Sequence, residues 1–435
     1  MPSRAWIVAL GAGVLAGMPA RAQESALTSL SRSDAVRTAL ERGARLPLAQ
    51  ADTAVVYAQL LAARAWENPA LSTAYSKAVP QYHVTVDVPI AYPWIKRGRV
   101  RTALAARTAA QYRYQLERAS IALTADTTYT RVLAARAHAR LSQRNAKDAD
   151  SLRRMATARR DAGDASDLEV ELAGVVAGQQ ANLSAADSLA YLSSLLDLQS
   201  VIGLASTRIE IVPADSLIAP PVDEDAPFGN AASFSGLTPG VTRVALDSGG
   251  RVVLTAAPLQ IAAAQAALTS AQLALRTERR SIFASPSIVA GIETRDPTGS
   301  ETGILPTFGV SIPLPLFNRN RGPIAQAQAE SQRANAELVL AQLESRTEIA
   351  RAVREREIAL ERVRRDQALL GGANRVAAMS FTAYREGATA LPALLEAQRQ
   401  ARESVARFID DLASAWIADA ELRVLLLTPT GGANK

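Results

Sequence analysis

Two stretches of the chain alternate apolar and polar residues with the period of a β-strand. In residues 82–90 the apolar residues alternate with His83, Thr85 and Asp87, and residues 307–314 alternate in the same way. A period of two places alternate side chains on opposite faces of a strand, and a length of about nine residues suits a membrane barrel. Shorter alternating stretches precede both. The pattern predicts two strand pairs, joined by residues 76–81 and by the polar loop 294–302.

Each strand pair is followed by a long segment of helical composition. Residues 98–163 and 322–387 are rich in Ala, Leu, Arg, Glu and Gln and contain almost no proline. About 65 helical residues span on the order of 100 Å, and such helices need neighbours. A second helix follows each glycine turn, at 167 to about 203 and 391 to about 427. We therefore expect two antiparallel hairpins, with an interruption at Gly371-Gly372.

The two halves of the chain are internal repeats. Residues 86–98 align without gaps onto residues 310–322, and the same offset of 224 takes Gly163 onto Gly387. The predicted organisation is a first repeat at 23–204, a connection at 205–255 and a second repeat at 256–428. Residues 429–435 are expected to form a disordered tail.

The first 22 residues have the pattern of an export signal. Arg4 precedes an apolar run that ends at Met18, and Ala20-Arg21-Ala22 has the small-x-small form of a cleavage site. The run is shorter than the roughly 20 residues of a spanning helix. We expect residues 1–22 to be a signal peptide and any membrane insertion to use strands.

Composition excludes several classes of chemistry. The net charge is +6, but the 48 basic residues are interleaved with 42 acidic ones and aromatics make up 5%, so no nucleic-acid groove is expected. There is no cysteine, and His83 and His138 are the only histidines. No catalytic or phosphate-binding motif occurs. We expect no enzyme activity, no cofactor and no metal site; the acidic segment 223–225 is interpreted as a solvated loop.

Four strands cannot close a barrel, which needs about eight or more. A chain whose strands enter a membrane must therefore oligomerise. Geometry alone permits two, three or four copies.

The order signal, helix, strand pair ending in Pro-x₇-Arg-Gly, long helix, glycine turn and long helix, repeated twice, resembles the TolC-like outer-membrane efflux proteins. The segments that carry the resemblance are residues 30–41, 67–71, 312–322, 384–387 and 394–399. Residues 315–319, Pro-Leu-Phe-Asn-Arg, look most like the heavy-metal branch, which exports cobalt, zinc and cadmium or copper and silver.

The resemblance implies a mostly α fold with membrane β-structure. Four strands from each chain of a homotrimer would form a twelve-stranded barrel in outer-membrane lipid, and the helical hairpins would continue it as a periplasmic tunnel. The partners would be a periplasmic adaptor and an inner-membrane pump of the resistance-nodulation type. The chain would be a passive conduit for heavy-metal cations. Multidrug efflux and type I secretion remain alternatives, as do a periplasmic adaptor and a soluble coiled-coil scaffold.

The resemblance also suggests site residues. An acid six positions after the turn glycine would narrow the tunnel tip, and that position holds Glu169 in the first repeat, near Asp167, but Ala393 in the second. Both acids could instead face solvent at a helix start. The adaptor would contact the tips at Gly163, Asp164, Ser166, Gly387 and Thr389, although glycine there also serves the turn itself. His83, Thr85 and Asp87, on the polar side of their strand, are candidates to line the barrel lumen.

Overall fold

The computed structural model describes residues 28–77, 81–221, 240–242, 244–246, 252–282, 285–294, 303–315 and 317–429. Within them the elements, in chain order, are β1 (Thr28–Leu30), α1 (Arg32–Arg42), α2 (Leu46–Arg64), β2 (Ala70–Tyr75), β3 (Tyr82–Pro89), α3 (Pro93–Asp161), α4 (Asp167–Val201), β4 (Ile211–Pro213), β5 (Gly240–Val241), β6 (Val244–Leu246), β7 (Val252–Leu254), α5 (Leu259–Arg280), β8 (Ser287–Thr294), β9 (Ile304–Ser311), α6 (Arg321–Arg385), α7 (Leu391–Leu425) and β10 (Leu427–Thr428). The predicted signal peptide, the acidic segment 223–225, residues 222–239, 243 and 247–251 of the connection, and residues 430–435 lie outside the described residues.

Four strands form one antiparallel sheet in the order β2-β3-β8-β9. The two predicted strand pairs are therefore confirmed, and β3 and β8 join them. The register puts Leu71 opposite Val86, and Ile288 opposite Val310, so that the apolar residues of all four strands share one face. That face is exposed; Phe308, for example, is 79% accessible. In the described chain, β2 and β9 each pair with one strand, which leaves both as edges.

The helices form the two predicted antiparallel hairpins, α3 with α4 and α6 with α7. Helix α3 has 69 residues and α6 has 65, so each spans about 100 Å. The bounds of α4 and α7 differ by 224 at both ends, in agreement with the repeat offset. The interruption predicted at Gly371-Gly372 is wrong, because α6 is continuous there. Each glycine costs about 1 kcal/mol in a helix, which strong helix formers on both sides and packing against α7 outweigh.

Each hairpin turns through a glycine in the left-handed region. Gly163 has φ +85° and Gly387 has φ +73°. The Gly163 N–H donates to the Arg160 carbonyl at 2.9 Å and the Asp164 N–H donates to the Arg159 carbonyl at 2.8 Å. These bonds form a Schellman motif, which satisfies the last carbonyls of α3, and the second turn repeats it. A side chain at either glycine would cost about 1–2 kcal/mol.

The middle of α3 is the largest buried region of the described chain. Strand β1 pairs in parallel with β4, which ties the start of the described chain to the segment after α4. Helix α1 packs on α3 beside this pair, and the core there is made mostly of alanine, leucine and isoleucine. Tyr129 is fully buried, and its hydroxyl lies 2.8 Å from the Leu30 carbonyl and 2.9 Å from an Asp215 carboxylate oxygen. Burial, together with the Asp215 carboxylate, raises the pKa of the Tyr129 hydroxyl, which therefore remains a donor.

A network of buried charges joins the two repeats at this level. Arg32 at the start of α1 bonds to Asp126 and, at 2.9 Å, to Thr130, both on α3. The Arg32 backbone N–H donates to Asp215 at 2.8 Å. The Arg32 guanidinium also lies 3.8 Å from the ring centroid of Trp416 on α7, so that one side chain links α1, α3 and α7.

The second repeat contributes its own part of the network. Asp419 on α7 accepts from Arg356 on α6 at 2.7 Å and also bonds to Arg423. All three side chains are almost entirely buried. Burial lowers the pKa of the Arg356 and Arg423 guanidiniums, and their ordinary pKa is high enough that both stay charged. Asp419 therefore compensates two cations that have little contact with bulk water.

Removing that carboxylate charge should destabilise the helical body. In Asp419→Asn, Arg356 and Arg423 lose the charge that compensates them, and we expect a loss of about 3–5 kcal/mol. Asp410→Asn, on the same helix, breaks an exposed 2.8 Å pair with His138 and should cost under about 1 kcal/mol. Unfolding followed by helical circular dichroism measures both. Equal stabilities for the two variants would contradict the role given to the network.

Candidate functional site

The tips of the two hairpins meet at the end of the molecule farthest from the sheet. Arg159 near the end of α3 donates to the Tyr384 carbonyl at 3.0 Å and to the Asp164 carbonyl at 3.2 Å. Its guanidinium also lies 4.7 Å from the centroid of the Tyr384 ring. Arg159 therefore joins the last turn of α6 to the first hairpin turn. The apolar residues buried around the Tyr384 ring are Leu152, Ala156, Ala173, Leu391 and Leu394.

A tyrosine–carboxylate hydrogen bond crosses this junction. The Tyr384 hydroxyl donates to Glu169 Oε2 at 3.2 Å. Glu169 is the third residue of α4 and half-buried, and its backbone N–H donates at 3.3 Å to the hydroxyl of Ser166, the N-cap. Burial, followed by the negative charge of Glu169, raises the pKa of Tyr384, which keeps the hydroxyl protonated as the donor. Glu169 is thus fixed both by its own helix and by the other repeat.

The two tips differ although their backbones repeat. Ala390 and Ala393 stand at the positions that Ser166 and Glu169 occupy in the first repeat, and α7 begins without a side-chain cap. Asp167, the other predicted acid, has a side chain that is 89% exposed and lies 3.8 Å from Arg160. Of the two predicted acids, Glu169 is therefore held in position at the tip and Asp167 lies in solvent.

The predicted adaptor-contact residues lie together at this end. Gly163, Asp164, Ser166 and Gly387 are exposed, and Thr389 is half-buried. A Cβ built on Gly163 would meet no heavy atom within 4 Å, and one on Gly387 would lie 3.9 Å from the Arg159 guanidinium. Both turns therefore present a small, open surface that a partner can approach closely.

The predicted lumen residues share the polar face of the sheet, at the opposite end of the long helices. His83 Nδ1 lies 3.3 Å from Glu293 Oε1 on the neighbouring strand. Thr85 stands opposite Gly291, where a Cβ would lie 2.7 Å from the Thr85 methyl carbon. Asp87 lies on the same face two residues further along β3. The face that carries these polar side chains is the one opposite the exposed apolar face.

Two contacts of the tip were missed from the sequence. Arg159 and Tyr384 received no role, although Tyr384 belongs to a segment that carries the family resemblance. An aromatic hydroxyl three positions before one turn glycine, together with an acid six positions after the other, is the signal that could have indicated the bond. Their separation of 215 residues hid it.

Two features are absent from the part of the chain that the structure describes. No helix there is both long and apolar enough to span a membrane. Within the same residues, no group of three or more His, Asp or Glu side chains is arranged to hold a metal ion.

Comparison with known proteins gives a partial family match and a fold. Residues 296–426 match the family described as outer membrane efflux protein. The Pseudomonas aeruginosa protein named pyoverdine export outer membrane protein OpmQ is 26% identical over 318 residues, which are 70% of this chain and 60% of that protein. The chain thus matches less than two thirds of that relative's length.

Solved structures share the architecture. The crystal structure of CusC has a TM-score of 0.72 at 16% identity and covers 93% of both chains. The outer membrane protein VceC from Vibrio cholerae has a TM-score of 0.69 at 15% identity, over 91% of this chain and 95% of that one. At these identities the likeness establishes the fold.

A double-mutant cycle tests whether the bond across the tip is formed. Tyr384→Phe and Glu169→Ala should each open the first turn of α4, with amide hydrogen exchange there faster by about fivefold for a bond of about 1 kcal/mol. Because each single change already removes the whole bond, the double variant should exchange at the same rate as either single variant. This result corresponds to a coupling energy near 1 kcal/mol between Tyr384 and Glu169. Additive effects of the two changes would show that Tyr384 and Glu169 do not interact.

Proposed function

We propose that this chain, residues 296–426 of which match the outer membrane efflux protein family, is a member of that family and the outer-membrane channel component of a tripartite efflux pump. The observation that carries the proposal is the continuity of two structures in one chain. A four-stranded sheet with an exposed apolar face leads directly into two helical hairpins about 100 Å long. The sheet has the dimensions of a membrane barrel wall, and the hairpins have the length of a periplasmic tunnel.

The channel would be a homotrimer in the outer membrane. Two edge strands per chain must be paired in lipid, because unpaired backbone groups there cost several kcal/mol each. Three copies would pair each β2 with a neighbouring β9 and close a twelve-stranded barrel. Its apolar face would contact lipid, and His83, Thr85 and Asp87 would line the lumen. The first 22 residues would direct export.

The partners would be a periplasmic adaptor and an inner-membrane pump of the resistance-nodulation type. The open surface at Gly163, Asp164, Ser166, Gly387 and Thr389 supports adaptor contact at the hairpin tips, since small residues allow close helix approach. The pump would supply the energy, and this chain would provide the passage.

Two cargo classes stand on different observations. The Pro-Leu-Phe-Asn-Arg segment at 315–319 favours heavy-metal cations. The name of the Pseudomonas aeruginosa relative favours export of an organic compound, since that protein is named for pyoverdine. Selectivity would lie mainly in the pump, so the same conduit suits either cargo.

Glu169 would form the gate of the tunnel. Three copies of one carboxylate, converging on the axis of a trimer, create a negative constriction that favours cations. The bond from Tyr384 holds each carboxylate in a fixed position, which supports the choice of Glu169 over the exposed Asp167.

Single-channel recording tests the conduit and its gate. The purified chain should conduct ions in a planar bilayer and prefer cations, and Glu169→Gln should bring the cation-to-anion permeability ratio close to one. Asp161→Asn removes the same charge near the tip from a residue already paired with Arg160 at 2.6 Å, and should leave the ratio unchanged. A chain that never conducts would contradict the channel; equal ratios for Glu169→Gln and the unmodified chain would contradict the gate alone.

Growth of a strain that lacks this protein tests the cargo. If the strain is sensitive to zinc, cobalt, cadmium, copper or silver, and the gene restores its resistance, metal export is established. Sensitivity confined to dyes, detergents and antibiotics would replace the metal proposal with organic cargo.

A variant with a bulkier residue at the tip, Thr389→Trp, tests the adaptor contact in the same strain. It should reach the outer membrane but fail to restore resistance, because the added side chain blocks the adaptor surface.

A further inference from the structure

The four junctions between strands and helices lie at one end of the sheet, where all four strands begin or finish. The register pairs the first residue of β2, Ala70, with Asp87 near the end of β3, and Pro89 at the end of β3 with Ser287 at the start of β8. Ser287 in turn pairs with Ser311, the last residue of β9. Along the chain, helices α2 and α5 finish just before a strand begins at this end of the sheet, and α3 and α6 begin just after a strand finishes there. The segments are 64–69, 92–101, 276–282 and 312–322, and we refer to them as the junction collar.

The junction collar carries a large excess of positive charge. Its ten basic residues are Arg64, Lys96, Arg97, Arg99, Arg101, Arg276, Arg279, Arg280, Arg319 and Arg321. All but Lys96 are exposed. Its two acids have partners inside the collar: Glu67 lies 3.5 Å from Arg99, and Glu278 accepts from the Asn320 amide at 2.9 Å. Most of the arginines therefore present an uncompensated charge to the surroundings.

Exposed aromatic side chains lie among these cations. Trp66 is 68% exposed, and the Lys96 ammonium sits 3.2 Å from its ring centroid. Trp94 is 51% exposed and stacks on Tyr92 with centroids 4.6 Å apart. Phe317, between β9 and α6, is fully exposed. Tryptophan and tyrosine beside lysine and arginine are typical of residues that lie at a membrane–water interface.

The opposite end of the sheet, in its described part, has no comparable excess of positive charge. The charged residues there are Lys77 and Glu293, with His83 beside Glu293. Among the described residues of the sheet region, the positive charge is therefore concentrated at the end that joins the helices.

We propose that the junction collar binds the headgroups of anionic phospholipids in the leaflet that faces the helices. The inference rests on the proposed function, because it requires the sheet to cross a bilayer. Strands of eight residues rise about 26 Å along their own axis, and at a barrel tilt of about 40° they span about 20 Å of the roughly 25 Å apolar band. The collar residues, which follow the strand ends, then lie at the boundary of the hydrocarbon, near the phosphate groups. Arginine pairs with phosphate through a planar fork of donors, which suits this composition.

A membrane surface fits the junction collar better than another macromolecule. The exposed apolar residues Ile312 and Leu314 of the collar continue the alternation of Phe308 and Val310 on the apolar face of β9, so the lipid that covers the face reaches the collar too. An anionic headgroup complements the charge, and salt should weaken the contact because these side chains are exposed.

The test compares lipid binding by matched charge variants of the full chain. The collar variant is Arg97→Gln, Arg101→Gln and Arg279→Gln. The control is Arg131→Gln, Arg140→Gln and Arg144→Gln, three exposed arginines of α3 that begin 30 residues, or about 45 Å, beyond Arg101. Each protein is reconstituted in nanodiscs of phosphatidylethanolamine and phosphatidylglycerol at 3:1, and the lipids retained after detergent extraction are counted by native mass spectrometry.

The unmodified chain and the control should retain phosphatidylglycerol several-fold above its share of the mixture, and the collar variant should retain it at that share. Raising NaCl to 0.5 M should reduce the enrichment for the unmodified chain, a readout that needs no variant. Equal enrichment in the collar variant, or no enrichment at all, would overturn the inference. Conductance of the same proteins in a planar bilayer separates the two proposals, since a conducting channel without enrichment refutes the collar alone. A chain that does not enter the bilayer refutes both.

Discussion

The hydrogen-bonding capacity of two strand edges constrains the whole molecule. In the described chain, β2 and β9 each leave one row of backbone donors and acceptors without a partner, beside a face of exposed apolar side chains. Lipid can cover that face but cannot bond to those edges, and water can bond to the edges but not cover the face. Pairing between copies satisfies both requirements. In the closed structure that such pairing would form, each of the two repeats would provide one strand pair and one hairpin.

The helices meet a different requirement, which is to hold long, narrow elements in register. Alanine is the commonest residue type among their buried side chains, so many positions contribute little hydrophobic stabilisation, and specificity comes from a few polar contacts. The buried charges around Asp419 and Arg32 fix α1, α3, α6 and α7 relative to one another in the middle of the molecule. Arg159, Tyr384 and Glu169 do the same at the tips. Buried ion pairs add little net stability, but they penalise every arrangement in which a partner is lost.

Local patterns predicted the parts of the fold that depend on local physics. Alternation at Tyr82 to Ile90 identified both the strand and the face it presents, because a strand on one apolar surface repeats every two residues. Composition and the turn glycines Gly163 and Gly387 placed the hairpins. The break expected at Gly371-Gly372 does not occur, since two glycines among strong helix formers on a packed helix are tolerated.

The contacts between repeats were beyond such patterns. Arg32 and Asp126 are 94 residues apart, and Tyr384 and Glu169 are 215 apart. Only the fold brings them together. Charged residues in the apolar stretches around Asp126 and Asp419 were the available signal for the buried network. At the tip, the family resemblance suggested Glu169 and Asp167 as gate candidates, which stays a prediction, and the bond that distinguishes Glu169 from Asp167 became visible in three dimensions.

The most direct test of the central claim, that copies of this chain close one barrel, is the mass of the particle extracted from the outer membrane in mild detergent. Native mass spectrometry should give three copies of the chain, stable until denaturation. A monomer would show that the strand edges are satisfied in another way, and a dimer or tetramer would show closure with eight or sixteen strands; any of these results would contradict the twelve-stranded channel.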